Sequence, residues 1–228
     1  MSIYGIQMAA RMLGYLTRKG QIIQNNLANQ ATDGFKLDKI YGTFDARFNG
    51  PVLNRTVSMQ QGPYLQTGNP LDVMLQGPGF FVVRTPNGDR LTRNGSFHLD
   101  HHRLVDQGGQ PVLGTDGPIV IDGTEVEISS DGTIVVDDVT VGQLQVVTEA
   151  EPTALVKEGD NLFVPDRMTP ADPDTTVVRQ FGVEESNVNG VAGIGELIEV
   201  QRQFAMMTST MRSMDDTLAV VTNRVGRV

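Results

Sequence analysis

The chain contains no cysteine and no tryptophan, and only 6% of its 228 residues are aromatic. The absence of cysteine excludes disulfides, thiol catalysis and cysteine-ligated metal sites. Because small-molecule pockets are usually lined by aromatic and apolar side chains, the scarcity of aromatic residues argues against such a pocket. With 18 lysine and arginine residues against 27 aspartate and glutamate residues, the formal net charge is -9. We therefore expect no nucleic-acid partner.

Long apolar runs are also missing. No stretch approaches the ~20 apolar residues that a membrane-spanning helix requires, so we expect no direct membrane insertion. Residues 1–20 lack the succession of basic, apolar and small residues that marks a cleaved secretory signal. If the protein leaves the cytoplasm, we expect it to do so without a cleaved signal peptide.

The C-terminal region has a regular helical pattern. Apolar positions recur there at alternating spacings of three and four residues, and a helix is predicted from about residue 192 or 195 onwards. This period of about 3.5 residues is typical of a helix that presents one narrow apolar seam to another helix. The seam consists of Leu197, Val200, Phe204, Met207, Met211, Met214, Leu218, Val221 and Val225.

The N-terminal region has a weaker pattern of the same kind and predicts a helix over residues 3–29. Its apolar positions are Ile6, Ala9, Leu13, Leu16, Ile23 and Leu27. An amide-rich stretch with Asn25, Asn26 and Asn29 closes the helix, and Gly34 fits a left-handed turn after it. The asparagines either satisfy carbonyl groups at the helix end or hydrogen-bond to neighbouring subunits, and the pattern does not decide between these roles.

The middle of the chain predicts β structure over residues 71–182. Short runs of valine and isoleucine alternate with Asn-Gly and Asp-Gly pairs, which tolerate the positive φ angles of tight hairpins. Because little helical signal separates these runs, the sheet should be mostly antiparallel. Strands are predicted at residues 80–83, 119–121, 134–136, 144–147 and 176–181. Residues 165–173 are predicted to be a loop, and 183–191 a turn-rich segment.

Together these patterns predict an α+β fold. The N- and C-terminal helices are expected to pair as a coiled-coil-like α domain, with a central, mostly antiparallel β domain between them. The expected boundaries are 1–35 with 190–228 for a terminal helical assembly domain, 36–70 for an extended linker region with a short strand or two, and 71–189 for the central β domain. Such an arrangement favours assembly over catalysis.

One group of polar residues allows another interpretation. His98, Asp100 and His102 alternate, so a strand would place all three on one face, where they could bind zinc. An exposed strand face shows the same alternation without a metal. The alternative function is therefore a metal-binding or hydrolytic β-domain protein with oligomerising helical arms. The chain lacks a Gly-x-Ser-x-Gly nucleophile motif, and we expect no catalytic, cofactor-binding or metal-binding residues and no enzyme activity.

Several motifs, in order along nearly the whole chain, resemble those of the flagellar rod and hook axial proteins. They are Asn25-Asn26-Leu27-Ala28-Asn29, Gly34-Phe35-Lys36, Gln61-Gly62, Thr67 to Val73, Gly77 to Phe81, Thr92 to Phe97, Glu185 to Asn189, and Gln201 to Phe204. The short middle region resembles a basal-body rod protein more than a hook protein. The brief segment 37–60 favours the proximal over the distal rod type. The chain departs from the family at His101-His102, which predicts a looser hairpin there.

The resemblance implies a structural subunit of the bacterial flagellar basal-body rod. Such subunits assemble helically, with copies of themselves and other rod and hook axial proteins, into a drive shaft that transmits torque and encloses the export channel. The resemblance further implies a location spanning the periplasm, export by the flagellar type III apparatus, and no cofactor. A protein that caps a rod rather than forming it is a further possibility.

The expected assembly interface combines the two helical seams with the asparagines. It consists of Leu13, Leu16, Ile23, Asn25, Asn26, Leu27, Asn29, Leu197, Val200, Phe204, Met207, Met211, Met214, Leu218 and Val221.

Overall fold

The structure, a computed structural model, describes residues 2–45 and 50–225. The chain folds into two compact units. The helical unit is built from residues 1–28, 38–56 and 189–228, as far as these are described, and the β unit from residues 29–37 and 57–188. The chain therefore passes from one unit to the other after residues 28, 37, 56 and 188.

The helical unit contains two long helices, α1 (Ser2–Ala28) and α2 (Gly190–Val225). Both were predicted, although α2 begins earlier than the apolar pattern indicates. The reason is Asn189, whose side-chain oxygen accepts a hydrogen bond from the Ala192 amide at 3.0 Å. Its carbonyl oxygen also accepts the Gly193 amide at 2.9 Å. Asn189 thus caps the helix and satisfies amides that have no partner inside it.

The two helices pack against each other in antiparallel orientation. Three glycines lie where the helices approach closely. A Cβ atom added at Gly5 would lie 3.5 Å from Met214, one added at Gly20 would lie 3.7 Å from Val200, and one added at Gly193 would lie 2.8 Å from Leu27. Early residues of α1 thus meet late residues of α2. The helical unit also contains strands β1 (Asp38–Asp45) and β2 (Gly50–Val57), which form a two-stranded sheet. The regular coiled-coil geometry predicted for the helices stays a prediction.

The β unit contains seventeen further strands. They are β3 (Tyr64–Gln66), β4 (Val73–Gln76), β5 (Phe80–Thr85), β6 (Gly88–Thr92), β7 (His98–Asp100), β8 (Arg103–Val105), β9 (Leu113–Gly114), β10 (Gly117–Pro118), β11 (Val126–Ile128), β12 (Thr133–Val136), β13 (Val139–Gln143), β14 (Val146–Glu149), β15 (Val156–Gly159), β16 (Leu162–Val164), β17 (Met168–Pro170), β18 (Val177–Gln180) and β19 (Gly182–Glu184). The largest sheet has the strand order β15-β16-β6-β5-β14-β17. All strand pairings within this unit are antiparallel, which confirms the prediction.

Strand β5 lies between the two hydrophobic cores of the β unit. Phe81 and Val83 belong to one core, whereas Phe80 and Val82 belong to the other. Successive side chains of a strand point to opposite faces, so a strand buried on both faces is apolar at every position. This explains why residues 80–83 form a continuous apolar run.

Three predictions in the middle of the chain were wrong. Residues 119–121 form no strand, although Ile119 and Ile121 are buried, because Val120 makes only an isolated bridge to Arg103. The predicted loop at 165–173 contains β17, which pairs with β14 at the sheet edge, where a proline without an amide hydrogen is tolerated. The predicted turn-rich segment begins with the final residues of β19, all of which are buried.

The hairpin at His101-His102 is tight, so the prediction of a looser turn was wrong. Asp100 pairs directly with Arg103, and the two histidines have φ angles of 48° and 66°. These angles characterise a two-residue turn that normally favours glycine or asparagine. The turn forms although left-handed backbone is less favourable for histidine than for glycine.

We expect His102→Gly to stabilise the β unit by about 0.5–1 kcal/mol. Glycine removes the left-handed strain of about 1–2 kcal/mol, and part of this gain is offset by the greater freedom of the unfolded chain. The loss of the exposed His102–Asp122 contact has little effect. Urea denaturation is the measurement and His101→Ala, which keeps the strain, is the control. A lower urea midpoint for His102→Gly would contradict this account.

Neither α1 nor α2, over the described residues, is long and apolar enough to cross a membrane.

Candidate assembly surfaces and a buried ion cluster

The helical unit buries only part of the predicted interface. Leu16, Ile23 and Val200 form its hydrophobic core. Seven other predicted positions are half-buried: Leu13, Leu27, Leu197, Met207, Met211, Met214 and Leu218. Phe204 stays 41% exposed. The side chains of Val221 and Val225 lie outside the described part of the chain.

Helix α2 exposes a second set of apolar side chains on a different side. Val191, Ile194 and Ile198 are spaced by three and four residues and are 85%, 54% and 52% exposed. One or two exposed apolar residues are ordinary on a protein surface, whereas several on one side of a helix indicate an interaction surface. These residues do not stand out in the sequence, because the longer apolar seam on the same helix masks their shorter pattern.

Asn26 has a role within the chain. It is buried, and its side-chain amide donates to the Asp38 carbonyl at 2.9 Å, while its side-chain oxygen accepts the Asp38 amide at 3.0 Å. The pair fixes the start of β1 on the end of α1. Asn25 is exposed, and Asn29 is half-buried and accepts a hydrogen bond from the Thr32 hydroxyl at 3.3 Å. A role in contacts between subunits stays a prediction for these two residues.

The histidines considered for zinc do not form a cluster with a third ligand. His102 lies in the turn rather than on β7, and its ring is 3.5 Å from Asp122, whereas Asp100 contacts His101 at 2.7 Å. Within residues 2–45 and 50–225, no group of three or more histidine, cysteine, aspartate or glutamate residues could hold a metal ion.

The most unusual polar feature of the β unit is a buried ion cluster formed by Lys36, Arg93 and Glu184. The Lys36 ammonium contacts the Glu184 carboxylate at 2.5 Å, and the Arg93 guanidinium lies 3.6 Å from its other oxygen. All three side chains are at most 4% exposed. Charged side chains are rarely buried to this extent unless they are paired.

Backbone groups complete the cluster. The Gly62 amide donates to Glu184 at 2.8 Å, Lys36 donates to the Gln60 carbonyl at 3.0 Å, and Arg93 donates to the Gly77 carbonyl at 2.8 Å. Two atoms of the cluster, Nη1 of Arg93 and Oε2 of Glu184, have no hydrogen-bond partner in the described part of the chain. The cluster is therefore held by its mutual ion pairs together with these backbone hydrogen bonds.

Burial determines the titration of the cluster. It lowers the pKa of Lys36, and the Glu184 carboxylate opposes that shift whereas Arg93 adds to it. Burial also lowers the pKa of Arg93, again against the effect of Glu184. At the nearby Asp33, burial raises the pKa, and the carboxylates of Asp72 and Glu185 raise it further. The charged states of both cations are thus costly and rely on Glu184.

Asn187 and Lys157 hold the segment around Lys36 in place. The Asn187 side chain donates to the carbonyls of Ser58 and Gln60 at 2.9 and 2.8 Å and accepts the Leu37 amide at 2.7 Å. Lys157 donates to the Lys36 carbonyl and lies 4.0 Å from the centre of the Phe35 ring. Both polar atoms of the Asn187 side chain, Oδ1 and Nδ2, therefore take part in hydrogen bonds.

The role of this cluster is not apparent from the sequence alone, although its residues lie in or beside the motifs of the flagellar rod and hook proteins. Lys36, Gly62, Arg93 and Asn187 are members of four separate motifs, and Glu184 immediately precedes the motif that contains Asn187. The only signal was that charged residues occur inside otherwise turn-like motifs. Spacing along the chain could not show that these residues meet in the fold.

Two regions of the chain match families of known proteins. Residues 74–136 match the family model of the flagellar hook protein FlgE/F/G D1 domain. Residues 179–224 match that of the flagellar basal body rod FlgEFG protein C-terminal region. The matches cover β4 to β12 and the region from β18 through most of α2.

Relatives that match over most of the chain identify its family. The flagellar basal-body rod protein FlgF of Caulobacter vibrioides is 31% identical, with 93% of this chain and 94% of the relative covered. FlgF of Escherichia coli is 31% identical over 86% and 87% of the two chains. FlgG of Buchnera aphidicola is 31% identical over 86% and 90%. The chain belongs to the flagellar basal-body rod family, and is thus a structural protein of the flagellum that serves motility.

Proposed function

We propose that this chain is a subunit of the proximal rod and assembles helically with copies of itself and with other axial proteins. The observation that supports this most directly is the surface of α2. Phe204 and the second apolar set, Val191, Ile194 and Ile198, remain exposed in a single chain. Contacts between unlike surfaces of identical subunits generate open helical arrays, and exposed apolar sides on a long helix suit that purpose.

In this proposal the two ends of the chain and its centre have different tasks. Residues 1–35 with 190–228 form the assembly domain, residues 36–70 form an extended linker region, and residues 71–189 form the central β domain. Packed helices resist compression and so transmit torque. The chain reaches its position across the periplasm through the flagellar type III export apparatus, without a cleaved signal peptide. No catalytic step belongs to this role.

We expect Phe204→Asp to abolish rod assembly while leaving the fold of the monomer intact. Phe204 is 41% exposed in the single chain, so a charge there is tolerated until a neighbouring subunit covers it. Burying an unpaired carboxylate at such a contact costs several kcal/mol. The measurements are counts of rods in isolated basal bodies, swimming in soft agar, and thermal unfolding of purified monomer.

Two control variants define the result. Phe204→Leu keeps an apolar side chain and should assemble. Val200→Asp places a charge in the core of the helical unit, where Val200 is 5% exposed, and should also lower the stability of the monomer. Normal rods and normal swimming with Phe204→Asp would refute the proposed role of this side of α2.

The proximal position has its own test. Gold labelling of an epitope-tagged chain in isolated basal bodies should mark the end of the rod nearest the inner membrane. Label at the hook end would instead assign the chain to the distal rod, and a single label per structure would favour a cap or adaptor.

A further inference from the structure

We propose that Asn87 is a site of spontaneous deamidation, which introduces a negative charge into the β5–β6 hairpin. Asn87 is exposed, precedes Gly88, and lies in the connection between the two strands. Gly88 has no side chain to shield its amide nitrogen, and its φ angle of 105° is one that other residues rarely adopt. No hydrogen bond holds the Asn87 side-chain carbonyl in the described part of the chain.

The chain contains other Asn-Gly pairs that serve as internal comparisons. Asn94 is 8% exposed, and its side-chain carbonyl accepts the Ser96 amide at 2.9 Å. The following Gly95 is enclosed, because an added Cβ would lie 1.7 Å from the Val73 carbonyl oxygen. Asn94 therefore has neither the water access nor the freedom that the reaction requires.

Asn189 is exposed but is held in another way. Its side-chain carbonyl accepts the Ala192 amide, and Gly190 is the first residue of α2. Cyclisation at Asn189 would break this cap and the first turn of the helix. A fourth pair, Asn49-Gly50, begins outside the described residues.

The reaction needs only water. The Gly88 amide nitrogen loses its proton and attacks Cγ of Asn87, the new N–Cγ bond forms, and the Cγ–Nδ2 bond breaks with release of ammonia. Water then opens the five-membered imide at either carbonyl. Opening at one carbonyl gives aspartate, and opening at the other gives isoaspartate, which lengthens the backbone by one methylene.

The new carboxylate would disturb a specific surface contact. The Asn87 side-chain amide donates to Glu158 at 3.2 Å, and Glu158 also accepts a hydrogen bond from Arg90. These interactions connect the β5–β6 connection to β15. A carboxylate at position 87 cannot donate, repels Glu158 and competes with it for Arg90.

The rate of deamidation tests the assignment. The full-length protein is incubated in mildly alkaline buffer at body temperature, and proteolytic peptides are analysed by mass spectrometry over time. The peptide that contains Asn87 should gain the mass of deamidation several-fold faster than those that contain Asn94 or Asn189. An isoaspartyl methyltransferase should label it. Conversion at Asn94 or Asn189 at an equal or faster rate would overturn the proposal.

A variant tests the consequence separately. The Arg90 hydrogen bond, with help from Asn87, holds the pKa of Glu158 below its ordinary value. In Asn87→Asp the pKa of Glu158, followed by NMR, should rise towards that of an unpaired glutamate. The control Asn87→Ser removes the amide donor without adding a charge and should produce a smaller rise. An unchanged pKa in Asn87→Asp would show that the contact is not disturbed by the modification.

Discussion

Replacing Glu184 with alanine should destabilise the β unit by about 3–5 kcal/mol, because two buried cations lose the carboxylate that they share. Lys36 and Arg93 are 1% and 4% exposed at their side chains, so water cannot take the place of the carboxylate. The Gly62 amide also loses its acceptor. Small domains are stable by about 5–15 kcal/mol, and the variant should therefore unfold at a much lower urea concentration.

The adjacent residue supplies a matched control for this variant. Glu185 is half-buried and raises the pKa of Asp33 by repulsion, so Glu185→Ala should change stability by less than about 0.5 kcal/mol. If Glu184→Ala does not fold, the triple variant Lys36→Met, Arg93→Met, Glu184→Leu should recover folding, because apolar residues often replace buried ion clusters without loss. Equal urea midpoints for the wild type and Glu184→Ala would refute this account of the cluster.

Gly34→Ala should destabilise the β unit by about 2–5 kcal/mol. Gly34 has a φ angle of 67°, which costs about 1–2 kcal/mol for a residue with a Cβ. An added Cβ would also lie 2.3 Å from the Asn94 backbone nitrogen. Relief of that contact requires a backbone shift, and overpacking of this kind costs about 1–3 kcal/mol more.

The substitution Gly68→Ala separates the cost of the left-handed backbone from the cost of the close contact with Asn94. Gly68 has a φ angle of 77° but no atom within 4 Å of an added Cβ. Gly68→Ala should therefore cost only about 1–2 kcal/mol. Chemical denaturation of the two variants and the wild type gives the comparison. A loss at Gly68 as large as that at Gly34 would mean that the close approach to Asn94 has no energetic importance.

The terminal helices and the antiparallel sheet were predictable because each produces a periodic signal. The apolar positions around Val200 recur at spacings of three and four residues because a helix brings such positions to one side, and Val200 is buried. The continuous run at Phe80 to Val83 is as clear, because a strand between two cores has no polar face. These elements could therefore be predicted from the pattern of residues that are close in sequence.

Elements whose residues are held by distant partners could not be predicted in this way. The strand β17 ends in a proline and is recognisable only beside β14. Strand β19 contains the buried Glu184, and a glutamate in a polar stretch predicts a turn when its buried cationic partners are not known. The membership of Lys36 and Arg93 in one cluster depends on the fold alone, since long-range contacts leave no periodic trace in the sequence.

The separation of Lys36 and Glu184 by 148 positions has a consequence for biosynthesis. During translation, Lys36 and Arg93 are synthesised long before Glu184, whose carboxylate neutralises them. Until β19 has been translated, closing the β unit would enclose two cations without a counterion, which is strongly unfavourable. We therefore expect nascent and prematurely terminated chains to stay open, with their apolar strands accessible to chaperones and proteases, until β19 has been made.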